Sequence, residues 1–271
     1  LVPTQNVESI VELCLRSFKD FPDEMIVVDN GSTDNTIDIV RALEKEIPKM
    51  KFFEAPQLKD LYENRQYAFE RSQYNWIMRI DSDYVAHTNG EYNIQKLREF
   101  ILNTKPGIIP KSFGITYVNL FPDFLHTGIE NDLRDENPQI HVPVPIGHLS
   151  ARIIQYFPGM KFVRLGKWEG VRFQKRLNHK MIDVPYMFHC NFKTKANHLI
   201  RFERTNWRAL GDFKKYPTRE DYVMEVIQNR YGTDDIEVAG EIHWNENVLP
   251  YLKTYNEDEY YPYPKLIKER I

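Results

Sequence analysis

Three times within the first 83 residues an apolar run is followed by an amphipathic stretch, and the runs end abruptly in polar residues. Leu1-Val2-Pro3 reads as the end of a first strand, and Val7, Ile10, Val11, Cys14 and Phe18 recur after it at helical spacing. Met25-Ile26-Val27-Val28 is apolar on both faces, as a parallel strand covered by helices must be. Ile37, Val40, Leu43 and Ile47 line the next helix, and Lys51-Phe52-Phe53 is a short third strand. A helix near 60–72 leads into a strand from Trp76 to Ile80, which ends in Asp81-Ser82-Asp83. Alternation of this kind predicts an α/β fold with a mainly parallel central sheet flanked by helices. Ligands of such sheets bind beyond the carboxyl ends of the strands. Pro3-Thr4, Asp29 and Asp81-Ser82-Asp83 are therefore expected to converge in one crevice.

The strand ends carry the chemistry. Asn30-Gly31 marks a tight turn after Asp29, and Ser32, Thr33 or Asp34 caps the following helix. Asp81 and Asp83 are one residue apart, and two like charges so close repel unless a cation neutralises them. A hard divalent ion is usually held by one or two carboxylates plus substrate phosphates. The expectation is that Asp81-Ser82-Asp83 holds a metal that holds a diphosphate.

Composition narrows the class. A net charge of −3 argues against a sequence-wide basic footprint for nucleic acid. No apolar run reaches the roughly 18 residues of a membrane-spanning helix. Two cysteines, Cys14 and Cys190, make no disulfide framework, so a reduced compartment is expected: the cytoplasm, free or peripheral to a membrane. The start at Leu1 without Met, partway through a strand, suggests preceding residues or a removed targeting segment. Neither a phosphate-loop sequence nor Gly-x-Gly-x-x-Gly is present.

After Asp83 the alternation loosens. A helix is expected near 93–103 and a strand-like run over 107–120. Residues 121–150 lack a clear period, and loops that long are usually functional. Asp123, Glu130, Asp132 and Asp135 there are rival candidate acids, expected rather to form a solvated surface. Residues 160–164 and 182–188 read as strands with a polar helix or turn between, and 196–210 and 218–230 as helices. The end, with Tyr260-Tyr261-Pro262-Tyr263-Pro264, is expected to lie extended on the surface. The domain expectation is 1–195 with a helical extension over 196–271. The basic residues of 191–208 form a solvated face, or contact a diphosphate or an anionic acceptor.

Pro3-Thr4-Gln5-Asn6, then Val27-Val28-Asp29-Asn30-Gly31-Ser32-Thr33-Asp34-Asn35-Thr36, then Asp81-Ser82-Asp83 resemble the family 2 glycosyltransferases of the GT-A fold. The match is good over about residues 1–90 and weaker over 150–195. The resemblance implies a metal-dependent transfer of a sugar, hexosyl in type, from a nucleotide-diphosphate donor to an acceptor hydroxyl, usually with inversion, as in glycan synthesis. It implies that Pro3, Thr4 and Gln5 run under the nucleoside and that Asp29 accepts from the base. Arg65 falls where the family has an Arg-Asn pair, with Gln66 in place of Asn; a phosphate or base role is implied, against simple pairing with Glu63 or Glu70. Asp81 and Ser82 would meet the donor or a metal-bound water, Asp83 the metal, with Asp81 beside it. Lys167-Trp168-Glu169-Gly170, with Arg172, Arg176 and Asp183-Val184-Pro185, resembles the region of the catalytic acid. Gly170 stands where that family often has Asp, which leaves Glu169 as the candidate base. His189 resembles the late His that completes the metal site in several members. The implied ion is Mn²⁺ or Mg²⁺, the implied donor a UDP-, GDP- or dTDP-sugar, and the acceptor a glycan, lipid or protein. A nucleotidyltransferase would need a Gly-rich phosphate loop, which Pro3-Thr4-Gln5-Asn6 is not. A non-catalytic nucleotide-sugar-binding module is the other alternative, raised by Gly170.

Overall fold

The computed structural model describes residues 1–58, 60–105, 107, 109–129, 142–165, 168–172, 177–212 and 214–271, without the side chains of 150, 151, 164, 165, 168, 169, 205 and 208–210. In chain order the elements are β1 (Val2–Thr4), α1 (Val11–Phe18), β2 (Met25–Asp29), α2 (Thr36–Glu46), β3 (Met50–Glu54), α3 (Leu61–Phe69), β4 (Trp76–Met78), β5 (Tyr84–Ala86) and α4 (Ile94–Leu102). Then follow β6 (Lys111–Leu120), β7 (His126–Thr127), β8 (Ile146–Gln155), β9 (Lys161–Leu165), β10 (Trp168–Arg172), β11 (Asn178–Ile182) and β12 (Met187–Cys190). The last elements are α5 (Lys195–Leu210), α6 (Arg219–Tyr231), α7 (Ile236–Asn247), β13 (Lys253–Thr254) and α8 (Lys265–Lys268).

Two compact units result. The first holds Leu1–Val118, Ile146–Cys190 and Asn256–Ile271; the second holds Asn119–Pro145 and Asn191–Tyr255. The sequence reading places one cut after residue 195; the second compact unit begins at Asn191 and also takes in 119–145, while 256–271 belong to the first.

In the first unit β1, β2 and β3 are parallel, with Thr4, Asp29 and Glu54 in register at their carboxyl ends. Leu1 N donates to Met78 O at 2.7 Å and Leu1 O accepts from Ile80 N at 3.1 Å. Bonds that bracket Arg79 in this way are the pattern of a parallel pair. The expected fourth parallel strand end is thereby set beside β1, and the strand ends that carry Thr4, Asp29 and Asp81 lie side by side. Beyond β4 the sheet is mixed. β4 pairs antiparallel with β8, the order runs β4-β8-β6-β12-β5, and β11 adds in parallel to β6. The α/β class holds, but parallel pairing dominates only the N-terminal part: β4–β8, β6–β8 and β12–β5 are antiparallel pairs.

Strand β9 meets the strand expected over 160–164, whereas 168–172, expected within a polar helix or turn, form β10, paired antiparallel with β9, with Glu169 opposite Arg164. Helix α1 starts at Val11 rather than near 7, because the residues before it bond to the β2–α2 loop. The core of the unit is formed by α1, α2 and α4 residues such as Leu15, Leu43 and Leu97, packed on Val27, Ile115 and Ile153 of the strands. The final segment is not merely laid on the surface: Tyr263 and Ile267 are buried, and the Tyr263 ring meets Phe188 at 5.9 Å.

In the second unit α5, α6 and α7 bury Leu199, Val223, Ile227, Tyr231 and Ala239 together. Phe121, Ile129 and Val142 pack with Trp244 and Val248 in a separate cluster. No helix among the described residues is long and apolar enough to cross a membrane.

Candidate functional site

The carboxyl ends of β1 and β2 continue into two loops that read each other. Asn6 N donates to Ser32 Oγ at 2.9 Å, and Thr33 N donates to Asn6 Oδ1 at 2.7 Å. Val7 N donates to Thr36 Oγ1, Glu8 N to Asp34 Oδ2, and Asn35 N to Glu8 Oε2. Asn6 takes φ +51°, in the left-handed region that Asn tolerates better than most residues. The two motifs are thus one hydrogen-bonded structure, each supplying acceptors for the other's exposed N–H groups.

Asp29 organises that structure. Its Oδ1 accepts from Gly31 N at 2.9 Å and Ser32 N at 2.8 Å, while Oδ2 accepts from Thr4 Oγ1 at 3.0 Å and from Ser32 Oγ. A carboxylate has about four acceptor positions, and Asp29, 1% exposed, uses three on its own loop and one on Thr4 of β1. Pro3 and Thr4 are buried in β1, whereas Gln5 is exposed, its Nε2 3.4 Å from Asn30 O.

Arg65 lies inside the protein, 0% exposed. Its Nη1 donates to Leu1 O at 2.8 Å and Ile80 O at 2.9 Å, and its Nη2 pairs with Asp81 Oδ1. These contacts tie β1, the end of β4 and Asp81 together. Arg152 of β8 donates from Nη2 to the other oxygen of Asp81 at 2.8 Å. Burial opposes the charge on Asp81, but Arg152 and then Arg65 outweigh it and hold the carboxyl well below the ordinary range.

Asp83 is placed differently. Its Oδ2 lies 3.3 Å from His189 Nε2, with the two side chains 17% and 14% exposed. Strand pairing makes this contact, because His189 of β12 is directly opposite Tyr84 of β5 and Asp83 O accepts from Cys190 N at 2.7 Å. The His189 ring stacks on Tyr84 at 4.6 Å, and Tyr117 meets it edge-on at 5.6 Å. Ser82 is buried between the two carboxylates in sequence. Cys14 and Cys190 are buried beneath, and burial, followed by nearby carboxylate charge, raises both thiols.

The structure therefore brings Thr4, Asp29, Arg65, Asp81, Asp83 and His189 into one unit, and separates Asp81, which is held by arginines, from Asp83, which faces an imidazole. Among the described residues no group of three or more His, Cys, Asp or Glu side chains is clustered so as to hold a metal ion by itself. The backbone of Glu169 lies in β10, but its side chain is outside the described residues, as are Lys167, Arg176, Glu130, Asp132 and Asp135. Sequence reasoning missed Arg152, Tyr84 and Tyr117. A lone Arg beside Ile153-Ile154 was the available signal, since an arginine in an apolar strand needs a buried partner.

The sequence profile described as Glycosyl transferase family 2 matches residues 1–160. No curated relative matches the sequence. Among solved structures, residues 1–349 of TarS from S. aureus, in complex with UDP-GlcNAc, are 15% identical with a TM-score of 0.45, covering 85% of this chain and 71% of that one. Against the longer TarS structure, at 17% identity and a TM-score of 0.41, 85% of this chain covers 42% of that chain. The mannosyltransferase PcManGT from Pyrobaculum calidifontis, in complex with GDP-Man and Mn²⁺, is 15% identical with a TM-score of 0.41, covering 92% and 75%. The family rests on the sequence match, which takes in every one of these strand-end residues except His189. The chain belongs to glycosyl transferase family 2, with the GT-A fold of that family.

Proposed function

We propose that the chain is a metal-dependent glycosyltransferase that moves a sugar from a nucleoside-diphosphate donor to an acceptor hydroxyl with inversion. The observation that carries this reading is the pairing of Asp83 Oδ2 with His189 Nε2 at 3.3 Å beside an Asp81 already neutralised by two arginines. Neighbouring ligand atoms on an octahedral ion, each at about 2.1 Å, lie about 3 Å apart. Asp83 and His189 fit that spacing and offer one carboxylate and one imidazole. Asp83 and His189 would hold the ion together with diphosphate oxygens and water, which Mg²⁺ sites commonly keep. Mn²⁺ or Mg²⁺ held there supplies Lewis-acid neutralisation of the leaving diphosphate.

The chain's own residues do the rest. Arg65 and Arg152 cancel the charge of Asp81, so a diphosphate can approach the strand end without meeting two bare carboxylates. Asp81 acts in this reading through the shape and charge of the turn, and Asp83 alone of the pair binds the ion. Asp29, with Thr4 and Ser32, holds the β1 and β2 loops at the nucleoside side of the crevice, where Gln5 is exposed. Glu169 is proposed as the base that takes the acceptor's proton, on the strength of the family resemblance. Such a base must lie within hydrogen-bond reach of the hydroxyl, opposite the leaving group.

The test is a screen of UDP-, GDP- and dTDP-sugars for Mn²⁺-dependent thermal stabilisation and donor hydrolysis. Asp83→Ala is expected to abolish the metal-dependent shift, and an unchanged shift refutes the metal assignment. Glu169→Gln is expected to bind donor and lose transfer, so full transfer activity removes it as the base.

A further inference from the structure

His189 carries the Asp83 contact, yet an imidazole on a strand end has broad freedom about its last torsion. Two neighbours remove that freedom. Tyr84, directly opposite on β5, is 1% exposed and lies against the ring with centroids 4.6 Å apart and planes 18° apart. Tyr117 of β6 meets the same ring edge-on, at 5.6 Å and 88°. The two tyrosines brace each other at 5.4 Å and 76°. The stack fixes the plane of the imidazole, and the edge contact opposes rotation within it.

The brace depends on a missing side chain. Gly147 of β8 is the cross-strand partner of Tyr117, and a Cβ there would overlap the Tyr117 ring. A glycine inside a strand commonly marks such a close approach. Its role here is space.

Resting on the proposed Asp83–His189 metal pair, we propose that Tyr84 and Tyr117, seated by Gly147, are positioning residues that aim His189 Nε2 at Asp83 and so preorganise the site. Simple packing would be satisfied by any apolar side chain of similar size. Positioning requires the flat ring of Tyr84 more than its hydroxyl, although the side chain also hydrogen-bonds Tyr117.

The experiment compares Tyr84→Phe, Tyr84→Leu, Tyr117→Leu and Gly147→Ala in the full chain. Mn²⁺ alone is titrated with free ion followed by electron paramagnetic resonance, and the His189 ring is followed in metal-free ¹H–¹⁵N spectra. Tyr84→Phe is expected to bind Mn²⁺ within about threefold of the parent, while Tyr84→Leu and Gly147→Ala weaken it by about tenfold or more, the usual effect of removing an outer support of a metal ligand. The parent and Tyr84→Phe should show one sharp set of His189 ring signals, and Tyr84→Leu shifted or broadened ones. A folded Tyr84→Leu protein with parental Mn²⁺ affinity and parental His189 signals overturns the proposal. If Tyr84→Leu does not fold, Tyr117→Leu, at a partly exposed position, decides by the same two readouts. If the parent binds no Mn²⁺, the metal reading fails by itself, and the ring signals alone judge the positioning.

Discussion

Arg152 Nη2 donates to Asp81 Oδ2 at 2.8 Å across 71 residues of sequence, and Arg65 holds the other oxygen of the same carboxylate. The strand-end aspartates are thereby unequal: one belongs to the scaffold and the other faces His189. Removing one partner of a buried ion pair costs about 3–5 kcal/mol. Asp81 keeps Arg65 and its side chain is 32% exposed, so Arg152→Met is expected to cost less than that range, about 2–3 kcal/mol in urea unfolding. The double variant with Asp81→Asn should recover part of the loss.

The same inequality separates two conservative changes. Asp83→Asn is expected to leave the unfolding midpoint nearly unchanged while removing Mn²⁺ binding. Asp81→Asn leaves two buried guanidinium groups without their counter-charge and is expected to lower the midpoint clearly. Equal losses of stability in both variants would contradict the division of roles.

Acid should weaken the first unit through His87. Burial pushes this imidazole down to about 4, with Glu257 raising it and Lys268 lowering it, and its Nε2 has no hydrogen-bond partner among the described residues. A folded value below the unfolded 6.5 means that the unfolded chain takes up the proton first. The contribution is therefore fully present above pH 6.5 and is lost as pH falls toward 4. Between pH 7 and 4.5 the expected loss is about 2–3 kcal/mol. His87→Leu should flatten the pH dependence of the urea midpoint over that interval, and an unchanged slope would remove His87 as its source. Asp81, whose folded value is depressed, keeps its contribution until lower pH and loses it only below the ordinary carboxylate range.

Gln66, standing where the family has Asn, accepts from Phe162 N at 2.7 Å and so docks the β9–β10 hairpin on α3. The extra methylene of Gln provides the reach. Gln66→Asn is expected to withdraw the acceptor from a buried N–H and cost about 1–3 kcal/mol, measured by urea unfolding. Gln66→Glu keeps the acceptor and should cost less.

In the second unit Gly240 of α7 faces the start of α5, where an added Cβ would come within 2.8 Å of Ala196 N and 2.9 Å of Ala196 Cα. The obstruction is backbone and cannot rotate away. Gly240→Ala is expected to cost about 1–3 kcal/mol despite its better helix propensity. A stabilised variant in thermal unfolding would show that α5 and α7 can separate freely.

Much of the first 83 residues was readable before folding was considered. The periods of Val7 to Phe18, Met25 to Val28 and Ile37 to Ile47 are local patterns, and Asn30-Gly31 states its turn locally. The pairing of Asp83 with the late His189 was legible only through resemblance, because no local signal links residues 106 positions apart. Strand β10 and the burial of Tyr263 were not legible. Short polar strands such as Trp168–Arg172 have no period of their own to distinguish them from turns.

The strand end at Asp81-Ser82-Asp83 shows where the two kinds of information divide. By itself the sequence determined that two carboxylates leave the core together beside the polar ends of two other strands, because hydrophobic period and turn chemistry are local properties. Only the tertiary structure decided that Asp81 is neutralised by Arg65 and Arg152 while Asp83 is left to His189. That assignment depends on which side chains β8 and β12 deliver to each oxygen, and strand register across the sheet sets it.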